Sequence, residues 1–174
     1  MLITPIKTPR LDYVPKFTDS AYSIVSRTDH WPYLKELGLE SLAGAVEILT
    51  AWVQPKGYLP IHRDIDPRGI VVPWSIVICP TESTGLTLEL YEPLDASLLE
   101  TTGAPSGRHR VPSLTKTNAR MLDSWSLDRG AALFNPGQYW HSASNSTDQW
   151  QNCVTIRSNH MLVLEKIKKI FDKN

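Results

Sequence analysis

The sequence predicts a mainly β domain, a β-sandwich or jelly roll with short flanking helices. Three observations lead there. From residue 44 onward, short β-type runs are separated by turn residues. No βαβ alternation is readable in the chain. Helical patterning is confined to the two ends.

Residues 1–27 carry Pro5, Pro9 and Pro15, so extended or irregular backbone is expected. Thr28 or Asp29 is placed to cap a helix from about His30 to Leu37, stopped by Gly38. A second helical turn fits Glu40–Ala43. Candidate strands follow at Ala45–Val53, Tyr58–His62, Ile70–Cys79, Leu86–Tyr91, Ala131–Phe134, Gln138–Ser144 and Asn152–Asn159. Pro55-Lys56-Gly57, Asp66-Pro67-Arg68-Gly69, Asn135-Pro136-Gly137 and Asn145–Asp148 supply the turn chemistry between them. Leu86, Leu88 and Leu90 alternate with Thr87, Glu89 and Tyr91, the pattern of a half-buried antiparallel strand. The stretch 93–128 is polar, with Gly103, Pro105, Gly107 and Pro112, and is expected to be a long connection acting as a binding loop or lid. Met161 to Phe171 has the spacing of an amphipathic helix.

Composition narrows the class. The chain has 174 residues, 41% of them hydrophobic, enough for one domain over 1–174. Its β core is expected at about 44–160, after an N-terminal flank at 1–43 and before a C-terminal helix at about 161–173. Eighteen Lys and Arg balance eighteen Asp and Glu, which argues against a general nucleic-acid binder. The longest largely apolar run, Ile70 to Cys79, is interrupted by Pro73 and Ser75 and is too short to span a bilayer. The opening MLITPIKTPR has no long apolar stretch, so a soluble, cytoplasmic protein is expected. Cys79 and Cys153 form neither a disulfide framework nor a zinc pattern. Asn145-Ser146-Thr147 reads as a plain turn.

The sequence contains no GxSxG, HExxH, GxxxxGK[ST] or GxGxxG motif. What remains is His62-Arg63-Asp64 with a distant His141. Two residues apart in extended backbone, His62 and Asp64 leave the same face. Two imidazoles and one carboxylate on one side of a metal leave three positions open, the geometry associated with non-haem Fe(II) oxygenases. Arg157 lies in the otherwise largely apolar run Cys153–Ser158, where an inward guanidinium needs an anionic partner such as a dicarboxylate.

The segment Tyr58-Leu59-Pro60-Ile61-His62-Arg63-Asp64, the block Ala132-Leu133-Phe134-Asn135 with Trp140-His141-Ser142 and Asn145, and the apolar strand carrying Arg157 together resemble the Fe(II)/2-oxoglutarate-dependent oxygenase superfamily, with its HxD…H…R motif. The run from His62 through Arg68 into Val71–Ile78 is most similar to the aspartyl/asparaginyl and prolyl hydroxylase-like branch. The likeness covers roughly 44–160, apart from the stretch 93–128. It implies a double-stranded β-helix, cupin-like. It further implies Fe(II) held by the catalytic residues His62, Asp64 and His141, with 2-oxoglutarate and O2 as co-substrates. The reaction implied is hydroxylation of an amino acid, free or within a peptide, coupled to formation of succinate and CO2.

Under this resemblance Arg157 anchors the distal carboxylate of 2-oxoglutarate. Arg68, Trp74, Tyr91, Asn135 and Thr155 are candidate co-substrate contacts, with Trp140 and Ser75 as further pocket residues. Asn159 stands where the family usually carries a hydroxyl two residues after the arginine. Asp66, followed by Pro67, reads as a turn residue, His109 as part of an exposed basic turn, and His30 and His160 as structural. Two alternatives stay open: a non-catalytic cupin-like binding module, and a metal cupin enzyme that does not use 2-oxoglutarate.

Overall fold

A computed structural model describes residues 1–14, 22–24, 30–65, 70–103 and 110–173. Its strands are β1 (Thr4–Ile6), β2 (Tyr22–Ile24), β3 (Glu47–Val53), β4 (Ile61–His62), β5 (Trp74–Ile78), β6 (Leu86–Pro93), β7 (Glu100–Gly103), β8 (Arg110–Leu114), β9 (Ala119–Ser126), β10 (Ala131–Phe134), β11 (Trp140–Asn145) and β12 (Gln151–Ser158). Two α-helices, α1 (His30–Glu36) and α2 (Met161–Phe171), lie among the described residues.

The strands form two six-stranded sheets, ordered β1-β10-β5-β12-β3-β2 and β7-β8-β4-β11-β6-β9. Neighbouring strands are antiparallel throughout. From β3 to β6, and again from β9 to β12, the chain passes to the opposite sheet at every step. That winding is a double-stranded β-helix.

Both faces of the first sheet are covered, which is why its central strands read as continuous apolar runs. On its outer face Ile48, Trp74, Ile76, Val154 and Ile156 pack against Tyr33 and Leu34 of α1 and against Val163, Leu164, Ile167 and Phe171 of α2. The spacing of those α2 residues builds one apolar stripe, while Leu162 and Lys166 stay exposed. On the inner face Ala51, Val53, Val77, Ala132, Phe134 and Cys153 meet Leu86, Leu88, Leu90 and Ala143 of the second sheet. Gly38, at φ 67°, takes the left-handed conformation that ends the α1 segment.

One expectation needs correction. The stretch 93–128 is not one long connection: it carries β7, β8 and β9, of which β7 and β9 are the two edges of the second sheet. An edge strand has no strict apolar face to show. In β9, Arg120, Met121 and Leu122 are all exposed, so no alternation is written there. The N-terminal flank, expected as extended or irregular, supplies two short strands, β1 and β2, which close both edges of the first sheet. The expected caps Thr28 and Asp29 lie outside the described residues. No helix among the described residues is long and apolar enough to cross a membrane.

Candidate metal centre

His62 and His141 stand directly opposite each other where β4 pairs with β11, so their side chains share the inner face. The ring centroids are 4.4 Å apart at 50°. Each ring is fixed from behind. His62 Nδ1–H donates to the Pro60 carbonyl at 2.7 Å, and His141 Nδ1–H donates to the Tyr139 carbonyl at 3.3 Å. That tautomer leaves both Nε2 atoms as lone-pair nitrogens. The Phe134 ring meets His141 edge-on at 5.0 Å.

Asp64 follows β4 in a segment held at both its backbone groups. Its amide donates to the Pro136 carbonyl at 2.9 Å and its carbonyl accepts from Val72 N at 3.2 Å. Gly137, beside Pro136, permits this: a Cβ there would come within 2.8 Å of the Val72 carbonyl oxygen. Asp64 Oδ1 then lies 3.5 Å from His62 Nε2 and 4.0 Å from His141 Nε2. The three potential ligand atoms fall within 4.8 Å of one another. Two ligands each about 2.1 Å from one ion are at most about 4.2 Å apart, so both His–Asp separations suit a shared ion.

The charges suit it too. Burial and the adjacent His62 push His141 down to about 3, so this imidazole is neutral near pH 7 and its lone pair is available. Burial alone would raise Asp64, but the adjacent His62 and the Arg157 guanidinium outweigh it and hold the carboxyl well below the usual carboxylate range. Arg157 Nη1 donates to Asp64 Oδ2 at 2.6 Å, and its Nε donates to Glu47 Oε2 at 2.7 Å. Burial opposes the guanidinium charge, yet Asp64 and Glu47 together raise its pKa.

Sequence reasoning missed Glu47. It faces Arg157 across the β3–β12 ladder, while Ser75 faces Arg157 from the β5 side. A carboxylate at the start of an apolar run was the one readable signal; its partner depends on register. Ser75 is fully buried and its hydroxyl has no hydrogen-bond partner.

The other expected contacts divide. Thr155 lies two residues from Arg157 on β12, on the same inner face. Asn135 shapes the turn after β10, accepting the Gln138 amide at 2.9 Å, and so presents the Pro136 carbonyl to Asp64. Three aromatics are on the wrong side. Trp74 is buried against the helices, its indole N–H donating to the His160 carbonyl at 3.1 Å. Tyr91 and Trp140 pack with Ile61 and Leu114 on the outer face of the second sheet. Each is one residue from an inward neighbour (Ser75, Leu90 and His141), and a one-residue offset in a strand reverses the face. Arg68, Asp66 and His109 lie outside the described residues. Asn159 is exposed just beyond β12.

Neither cysteine is poised as a nucleophile: burial pushes Cys153 up to about 12 and also raises Cys79. Asn145 is buried, its Nδ2 donating to the carbonyls of Val53, Gln54 and Gln149, so it is a structural corner.

No family model and no curated protein matches this sequence. Several solved structures resemble it. An oxalate oxidase bound to the substrate analogue glycolate is 16% identical with a TM-score of 0.39, over 82% of this chain and 54% of that one. The oxalate decarboxylase of Lactobacillus farciminis, in a formate complex, is 11% identical at 0.42, over 85% and 31%. A Pseudomonas putida prolyl-4-hydroxylase is 13% identical at 0.37, over 75% and 59%. This chain thus spans about half the length of the oxalate oxidase. At such distances the likeness is one of β architecture and assigns neither ligand nor reaction.

Proposed function

We propose that this protein is a non-haem Fe(II) oxygenase that uses 2-oxoglutarate and hydroxylates an amino acid, free or within a peptide. One observation carries the reading: two tautomer-fixed imidazoles and an ionised carboxylate converge at one end of the barrel interior, beside an inward arginine. His62, Asp64 and His141 fit a divalent ion by donor type, and the separation of each imidazole from Asp64 suits a shared ion. The co-substrate's distal carboxylate suits Arg157, whose position already attracts carboxylate oxygens from two sides, and the partnerless Ser75 hydroxyl offers it a donor. When bound, Fe(II), 2-oxoglutarate and O2 supply the oxidising equivalents for C–H hydroxylation, with succinate and CO2 as co-products.

The chain's own residues orient and insulate. The carbonyls of Pro60 and Tyr139 aim the two imidazoles. Arg157 keeps Asp64 ionised. Phe134 flanks His141, and Leu90 stands opposite it on β6, limiting water from that side. The test is anaerobic titration of the apo-protein with Fe(II) and then 2-oxoglutarate. A weak visible charge-transfer band that needs both is the expected result, followed by succinate formation in air. Iron binding with no band and no succinate would overturn the reading.

A second reading has its own observation. Because Glu47 already pairs with Arg157, the centre would suit a metal enzyme that never takes a dicarboxylate. Iron would then bind with the same ligands and 2-oxoglutarate would not alter its spectrum.

A further inference from the structure

We propose that Glu47 and Ser75 flank Arg157 as a carboxylate subsite, in which Glu47 is the resident carboxylate that a ligand's distal carboxylate must displace. The inference rests on the 2-oxoglutarate reading above. It starts from a row of neighbours: Glu47 on β3, Arg157 on β12 and Ser75 on β5 are direct cross-strand partners, so their side chains share the inward face. The row ends near the metal ligands, since Phe134, opposite Ser75, contacts the His141 ring.

Glu47 is held by one bond to Arg157 and its side chain is 41% exposed, against 12% for Asp64. A half-exposed partner can turn out to water at little cost, whereas Asp64 cannot. Ser75 complements this. Its hydroxyl is buried without a partner, an unfavourable state that an incoming oxygen would relieve. Charge gives the subsite a selectivity. A divalent ion with Asp64 and Arg157 leaves two positive charges for a ligand, matching a dianion. Glu47 cancels one of them and tilts the pocket toward monoanions.

The experiment is calorimetric titration of anaerobic Fe(II)-loaded protein with 2-oxoglutarate and with pyruvate, which shares the keto-acid head and lacks the distal carboxylate. The measured quantity is the preference for 2-oxoglutarate over pyruvate. Glu47→Gln should raise it at least about threefold, because a charge is removed and the shape kept. Ser75→Ala should lower it about tenfold, because a donor to a charged oxygen is lost. If all three proteins bind 2-oxoglutarate with the same preference, the inference falls while the functional reading stands. If iron loads but neither keto acid binds any of the three, both fall.

Discussion

The two ends of the space between the sheets are built from the same strands and differ in kind. Over most of its length it is lined by Ala51, Val53, Val77, Leu86, Leu88, Ala143 and Cys153. At the other end stand His62, Asp64, His141, Glu47, Arg157 and Ser75. Along β12 the inner face runs from Cys153 through Thr155 to Arg157, along β5 from Val77 to Ser75, and along β11 from Ala143 to His141. The change from core to chemistry is one or two same-face steps on each strand. The apolar end needs only packing. The polar end needs each buried charge in contact with an opposite one, and Arg157, set between Glu47 and Asp64, provides that contact for both carboxylates.

The harshest way to break that contrast is to put a carboxylate at the wrong end. Val77 is 5% exposed among apolar neighbours, so Val77→Asp should lower unfolding stability by about 4 kcal/mol or more, read by urea denaturation. A near-native midpoint would mean that the apolar end tolerates charge and that the two ends do not differ as described. The converse change, Asp64→Ala, should cut divalent-metal affinity at least ~100-fold in a chelator competition while the circular dichroism stays native.

Acid tests the polar end without mutation. His141 titrates near 3 in the fold and near 6.5 when unfolded, so the unfolded chain binds the extra proton between those values. Stability of the metal-free protein is therefore full above about pH 6.5 and is lost as pH falls toward 3. Asp64, depressed in the fold, adds to the loss below about pH 4. From about pH 7 to pH 5 the decrease should be on the order of 2 kcal/mol. Denaturation at several pH values in His141→Gln should show a flatter dependence; an equal slope would remove His141 from the account. The smallest effect sharpens the assignment of faces. Trp74→Phe should cost about 1 kcal/mol through the lost bond to the His160 carbonyl, and should leave metal affinity unchanged because that indole faces the helices.

Local patterns were legible to the residue in places. The amphipathic spacing from Met161 to Phe171 is α2, and the run Ala131–Phe134 is β10. The His62–Asp64 spacing brought two donors together as expected. The edge strand β9 was not legible, because none of its residues is buried and no apolar period results. Trp74, Tyr91 and Trp140 were assigned to the pocket by residue type, and strand parity sends all three elsewhere.

By itself the sequence determined the β class, the C-terminal helix and the donor types of the candidate metal site, since each is written in spacings of a few residues along the chain. Only the tertiary structure decided that His62 faces His141 and that Glu47, Arg157 and Ser75 stand in one row. Those neighbours come from strands far apart in the chain. Their register is set by which faces the two sheets and the helices bury together, and no local spacing encodes it.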